Sequence, residues 1–303
     1  MEIRHLNTFI KIAMLKNFTH AAKSLGYCQS NVSMHIQQLE RELGIPLFDR
    51  IGKNVSLTQY GEELLPYAQK IVSMAEYMEN LMKKENEMSG TVKIGIVESL
   101  FDTIFEPVLT SYHIRFLYVK MGIMVDATSA LKEKLKEGAI DFACLIDKQL
   151  SRAEWNCLYS EKTPIFIIAN PHNILFNKKH ITLQNLENLE FILMEDMASY
   201  SRYFQQLMHE KNIKYRSFLK LQSASMARKL VESSDFLSVL PYYSIKKSVI
   251  AGKIKIVDAD GFSQSQFVQV ILHPNKVVSP QSKGFLEELG KYIKKFVSTE
   301  IQD

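Results

Sequence analysis

The stretch NFTHAAKSLGYCQSNVSMHIQQLERELGIPLFDR, residues 17–50, decides the fold of the N-terminal third. Thr19 can cap a short helix over Ala21, Ala22 and Leu25, and Gly26 ends it as a residue free to take positive φ. A further helix begins near Ser30, with Val32, Ile36, Leu39 and Leu43 on one face, and Gly44 stops it. A helix-turn-helix needs a small residue where its helices cross, a permissive turn, and an apolar residue locking the second helix down. Ala22, Gly26 and Val32 stand at those places, spaced by four and six. The second helix of such a pair enters the major groove with its N-terminal residues toward base edges. Here those residues are Gln29, Ser30, Asn31, Ser33, Met34 and His35. Amides suit adenine, and hydroxyls suit phosphate or either base.

Outward from that stretch, residues 3–15 place Leu6, Phe9, Ile10, Ala13 and Met14 at helical spacing. IPLFDRIGKNVSLT reads as two short extended pieces around Gly52-Lys53-Asn54, a hairpin-like wing. A plain three-helix bundle with a solvated polar face would leave the LFDR segment and this wing without a role. Thr58 caps a long helix running to about residue 87, in which Leu64, Ala68, Ile71, Ala75, Met78 and Met82 step by four and three. That 3.5-residue period makes a coiled-coil seam, hence a dimer; the alternative is a helix packed on its own domain. ENEMSG (85–90) is a polar break ending in Gly90 and reads as a hinge.

Beyond it strands and helices alternate: TVKIGIV, a helix near 100–112, YVKMGIMV, a helix near 129–137, DFACLI, PIFIIA, FILME, a helix from about 200 to 211, FLKLQ, a helix at 225–233, FLSVLP, QFVQVILH and a last helix at 280–297. Alternation of this kind predicts parallel α/β sheets, with enough strands for two subdomains. A chain of 303 residues has room for two or three domains, each with its own core. Its start lacks the apolar h-region of a signal peptide, and no apolar run approaches the roughly 20 residues of a membrane span. Three well-separated cysteines without CxxC spacing predict a reducing, cytoplasmic setting, with neither a disulfide framework nor a zinc site. Residues 1–60 carry seven Lys/Arg against four Asp/Glu, whereas the rest carries thirty against twenty-nine. The positive excess therefore sits where a nucleic-acid footprint is wanted.

MEIRHLNTFIKIA, the residue 17–50 stretch and LTQYGEELLPYAQKI closely resemble the N-terminal domain of the LysR-type transcriptional regulators, without a gap over residues 1–87. The remainder resembles that family's effector-binding domain more loosely, in the right order. The resemblance implies an α+β, multidomain chain. Its winged helix-turn-helix DNA-binding domain covers 1–60, a linker (dimerisation) helix 58–87, and a hinge 88–91. A periplasmic-binding-protein-like effector domain of two α/β subdomains covers 92–303, with subdomain I at about 92–163 and 269–297 and subdomain II at about 164–268. It also implies double-stranded DNA and a small-molecule effector as partners, and a homodimer or homotetramer. By position, Gln29, Ser30, Ser33 and Met34 fall on the recognition helix, Arg50 follows the LF of the wing, and Lys53 sits at its tip. Relatives often carry Arg or Lys where this chain has Met34, and the recognition helix is uncharged from Gln29 to Gln38 apart from His35. Phosphate attraction is therefore assigned to Arg50, Lys53, Lys23 and Arg4. Cys28, in a slot often held by Ser or Thr, is read as a small residue filling a tight turn rather than a redox switch.

In two-lobed α/β domains, ligands sit beyond the carboxyl ends of strands, against helix N-termini. Three such junctions follow TVKIGIV, MGIMVD and FILMEDM. They offer Ser99, Thr128, Ser199, Tyr200 and Arg202 as candidate effector contacts. The resemblance implies that hydroxyls at these places, here Ser99, Thr128 and Ser199, line the effector cleft, against the plainer reading of ordinary helix caps. Glu98, Asp126, Glu195 and Asp196 cluster at the same junctions. They predict a neutral, zwitterionic or cationic effector rather than a dianion. At 233–241 a Ser234-Asp235 turn replaces the Gly-rich turn frequent in relatives, and Asp is expected to take its left-handed place.

The chain lacks GxSxG, HExxH, P-loop and strand-following GxGxxG motifs, and none of its eight histidines pairs with Cys or carboxylate at metal spacing. No enzyme, cofactor or metal is expected. A stand-alone binding protein would leave the N-terminal third unexplained. The alternative to an effector-responsive regulator is an effector-independent or architectural DNA-binding protein.

Overall fold

In a computed structural model, residues 1–51, 54–195 and 198–297 are described. Helices α1 (Ile3–Leu15), α2 (Phe18–Leu25) and α3 (Gln29–Leu43) bury Leu6, Phe9, Ile12, Ala21, Val32 and Ile36 in one small core. Asn17, not Thr19, caps α2: its Oδ1 accepts the His20 N–H at 2.9 Å, which puts Thr19 inside the first turn. Gly26 (φ 71°) and Gly44 (φ 73°) close α2 and α3 in the left-handed region. β1 (Phe48–Ile51) and β2 (Asn54–Leu57) pair antiparallel as the wing.

α4 (Gln59–Asn80) starts at Thr58, whose Oγ1 accepts the Gly61 N–H at 3.0 Å. Gly61 lies so close to the Leu47 carbonyl that a Cβ there would collide with it, which fixes α4 against the wing. The helix stops at Asn80, short of the expected residue 87. Asn80 is buried and bonds both the N–H and the C=O of Ser89, each at 3.2 Å. Its amide stands in for a strand partner and folds the chain back, so the expected hinge is tied to the helix end. The expected seam also splits. Ala68 is fully buried and Leu64 packs on the N-terminal core, whereas Ile71, Met78 and Met82 are exposed together with Tyr67 and Met74.

The remaining elements are β3 (Ser89–Ile96), a single turn α5 (Glu98–Leu100), α6 (Glu106–Arg115), β4 (Tyr118–Val125), α7 (Thr128–Lys136), β5 (Phe142–Asp147) and β6 (Asn156–Ala169). Then come β7 (Ile181–Thr182), β8 (Glu190–Met194), α8 (Ser199–Glu210), β9 (Arg216–Leu221), α9 (Ala224–Glu232) and β10 (Leu237–Pro241). The chain continues through α10 (Tyr242–Ile250), β11 (Lys255–Val257), β12 (Ala259–Asp260), β13 (Gln264–Leu272) and α11 (Pro280–Val297). Strands run in the order β4-β3-β5-β13-β6-β10-β8-β9. Each end is parallel, β3 with β4 and β5 at one, β8 with β9 and β10 at the other. In the middle β13 runs antiparallel to both β5 and β6.

The sheet is thus mixed, where the alternation had predicted parallel sheets. The reason is that the chain crosses between the lobes twice in extended form, along β6 and β13. The expected lobe limits near 163 and 268 fall inside those two strands. Neither Ser234 nor Asp235 takes a positive φ, so no left-handed turn is needed before β10. Instead the Ser234 hydroxyl donates to Leu230 O at 2.6 Å, and Asn173 Nδ2 donates to Asp235 O at 3.0 Å.

Candidate DNA-reading surface and effector cleft

Helical periodicity divides α3 into two faces. Val32, Ile36 and Leu39 are fully buried, whereas Gln29, Ser30, Asn31, Met34 and Gln37 are exposed and Ser33 is half-buried. The exposed row extends to Gln37, which sequence reasoning missed, although its three-residue step from Met34 marks the same face. His35 is corrected. It is buried, its Nδ1 lies 2.9 Å from Thr8 Oγ1, and its ring packs against those of His5 and Tyr27. A side chain so held joins α3 to α1 and does not face a base. Burial, followed by the nearby His5 and Arg4 charges, pulls its pKa down, which favours the neutral imidazole.

Among the cations, Lys23 is exposed in the last turn of α2, and exposed Arg4 pairs with Glu2 at 2.5 Å. Arg50 belongs to β1, and Lys53 lies outside the described residues. Cys28 is exposed at the N-cap of α3 with its Sγ 3.1 Å from Ser30 Oγ, so it fills no packed turn; that hydrogen bond lowers its thiol pKa.

A cavity of about 330 Å³ opens where β3, β4, β8 and β9 end, between the two lobes. Ser99, Thr128 and Tyr200 line it, as expected for junction residues. Ser199 and Arg202 do not. The Ser199 hydroxyl donates to Gln266 Oε1 at 2.5 Å, and Arg202 is exposed on the outer side of α8. The lining hydroxyls are engaged as well. Ser99 Oγ and Tyr243 Oη share a buried 2.7 Å hydrogen bond between lobes, and Thr128 Oγ1 donates to Ile146 O at 3.2 Å. Burial raises the pKa of the Tyr200 and Tyr243 phenols, holding both neutral.

Sequence reasoning missed the fourth junction, Gln222-Ser223-Ala224 between β9 and α9, which also lines the cavity. Its signal was present, since Ser223 caps α9 through the Met226 N–H at 3.1 Å. Glu98 reaches this junction from the other lobe. Its Oε1 accepts the hydroxyls of Ser223 (2.7 Å) and Ser225 (2.9 Å), and its Oε2 accepts the Ala224 N–H (2.9 Å). No sequence spacing could show that pairing, because its partners lie some 125 residues apart.

Two family models match: "Bacterial regulatory helix-turn-helix protein, lysR family" over residues 3–62 and "LysR substrate binding domain" over 85–294. The chain belongs to the LysR-type transcriptional regulators. The HTH-type transcriptional regulator YwqM of Bacillus subtilis is 31% identical over 97% of this chain and 100% of its own length. The RuBisCO operon transcriptional regulator of Allochromatium vinosum is 24% identical over 95% of each chain. Among solved structures, a full-length OxyR variant from Pseudomonas aeruginosa shares the fold at a TM-score of 0.73 and 20% identity, covering 100% of this chain and 99% of that one. As a LysR-type protein the chain is a sequence-specific DNA-binding transcription regulator with a small-molecule effector domain. Its partners are double-stranded DNA and a small-molecule effector. No described helix is long and apolar enough to cross a membrane.

Proposed function

We propose that Gln29, Ser30, Asn31, Ser33, Met34 and Gln37 read base edges, that Arg50, Lys53 and Lys23 hold phosphates, and that the inter-lobe cavity receives the effector against Ser99, Thr128 and Tyr200. The observation that carries this reading is the division of α3 into a fully buried apolar face and an exposed polar row. On that row the side chains of Gln29, Asn31 and Gln37 have no hydrogen-bond partner among the described residues. Exposed amides at the start of such a helix are groups for adenine, and with few charges they supply discrimination rather than general affinity.

The exposed side chains of Tyr67, Ile71, Met74 and Met78 on α4 offer the dimer contact that would space two reading heads along DNA. Two links connect cleft and helix in one chain. One is the Asn80–Ser89 pairing; the other is Gln69, whose Nε2 donates to Glu137 O at 2.8 Å from α4 to the end of α7. The chain acts in the cytoplasm, as a regulator and not as an enzyme, with residues 1–60 binding DNA and 92–303 binding effector.

Genome-wide mapping of bound DNA tests this. The full-length protein is expected at discrete sites sharing one motif, with occupancy lost when residues 1–60 are deleted. Diffuse occupancy without a motif would favour an architectural role.

A further inference from the structure

The cavity between the lobes carries its own anions. Its charged lining is Glu98, Asp126 and Glu195, and no lysine, arginine or histidine lines it among the described residues. A two-lobed α/β cleft ordinarily attracts anionic ligands through the N–H groups at helix N-termini. Here one of those termini is met by the chain's own carboxylate, and a second carboxylate stands just ahead of another. Glu98 takes the N-terminus of α9 with three hydrogen bonds from the opposite lobe. Asp126 Oδ1 accepts the Ala127 N–H ahead of α7 at 2.7 Å. A carboxylate ligand would have to displace Glu98 and then sit beside Asp126 and Glu195 at a cost in repulsion.

On the charged groups, what remains open is of the opposite kind. Glu195 Oε2 accepts Gln222 Nε2 at 2.9 Å, but Glu195 Oε1 and Asp126 Oδ2 have no protein donor among the described residues. Asp126 is exposed and Glu195 half-buried, so water can serve these oxygens. Because carboxylate oxygens accept and do not donate, a ligand that replaces that water is favoured when it bears N–H groups or positive charge. Around them the wall is apolar: Val97, Val125, Ile146, Met194 and Leu221. Apolar walls exclude a bare, strongly hydrated metal ion and favour a carbon skeleton. The cavity volume of about 330 Å³ is that of a small-metabolite site.

We propose that the effector is an organic cation, a small amine or guanidine, held by Glu195 and Asp126 across the lobes while Glu98 occupies the anion position as an internal ligand. The proposal rests on the cavity being the effector site and adds the charge of what enters it. Glu98 holds the lobes together before any ligand arrives, and the bound cation then bridges the two free carboxylate oxygens.

The test is thermal unfolding and calorimetry of the full-length protein with putrescine, agmatine and L-arginine amide, against adipate, glutarate and magnesium chloride. At least one amine is expected to bind saturably and raise the transition temperature. The Asp126→Asn/Glu195→Gln double variant is expected to lose about tenfold or more in that affinity, the scale of removing partners from a charge pair. Formate or acetate is expected to stabilise Glu98→Ala, by refilling the α9 N-terminus, and to leave the wild type unmoved.

A dicarboxylate that binds the wild type and is blocked by the cavity substitution Val125→Trp would overturn the charge assignment while leaving the cavity as the effector site. Amine binding that survives both Val125→Trp and the double variant would overturn the site itself. Stabilisation by magnesium alone, or by no amine at millimolar concentration, would overturn the organic cation. A Glu98→Ala protein indifferent to formate and acetate would overturn its role as internal ligand.

Discussion

On α3, the exposed amides of Gln29, Asn31 and Gln37 have no partner among the described residues, whereas in the cleft most polar side chains are already held by another. Ser99 bonds Tyr243, Thr128 bonds Ile146, and Glu98 takes three donors from α9. Polar side chains are thus used in opposite ways. The reading helix leaves hydrogen-bonding capacity free for an outside partner. The cleft uses Ser99 with Tyr243 and Glu98 with α9 to join two lobes, which makes their relative position sensitive to whatever enters. The two regions also rest on separate cores, one built on α1–α4 and the wing, the other spanning the mixed sheet.

The largest expected effect tests that separation. Phe9 is fully buried in the N-terminal core, and Phe9→Ala is expected to cost about 3–5 kcal/mol there. Calorimetry should show the DNA-binding transition falling while the effector-domain transition stays; movement of both together would merge the two regions.

Next come the polar groups on each side. Gln29→Ala is expected to erode about 1–3 kcal/mol of preference for the operator over mismatched DNA, leaving affinity for random DNA unchanged. Quantitative binding to both sequences reads this. Tyr243→Phe strands a buried Ser99 hydroxyl and is expected to lower effector-domain stability by about 1–3 kcal/mol, with the DNA-binding transition unmoved, as urea titration of both transitions would show.

A pH step sharpens the comparison further. The lowered His35 pKa means the unfolded chain takes up the proton first, so the stability it reflects is present above the unfolded value and lost as pH falls below it. Going from roughly pH 7.5 to 5.5, across the ordinary histidine value near 6.5, the DNA-binding transition should weaken, and His35→Gln should flatten that slope. The titratable groups facing His35 are His5, Tyr27, Arg4 and Glu2, with the Thr8 hydroxyl on its Nδ1. The smallest effect serves as a control: Glu133→Ala breaks an exposed pair with Lys136 and should move either transition by less than about 0.5 kcal/mol.

Much of the first region was legible in the sequence because its information is local. Val32, Ile36 and Leu39 recur at helical spacing, Gly26 and Gly44 mark helix ends, and the exposed row follows by subtraction. His35 escaped because its partner Thr8 lies on another helix, 27 residues away, and polarity alone placed it outside. In the second region the strand ends and three of the four cavity junctions were readable from strand–helix alternation. The antiparallel crossing of β6 and β13 was not, since NCLYSEKT lacks an apolar run and its pairing with β13 is set by tertiary contact. The same holds for Glu98 on α9 and for Ser199 on Gln266, where each partner is fixed by the fold rather than by spacing.

The coupling of the two regions is tested most directly by footprinting the full-length protein on a genome-mapped site, comparing wild type with Val125→Trp. Val125 is 48% exposed and lines the cavity, so an indole there fills the cleft without entering either core. A cleft that governs the reading heads predicts an altered footprint and altered transcription, with half-site affinity of the N-terminal domain unchanged. An identical footprint and identical transcript levels would contradict it.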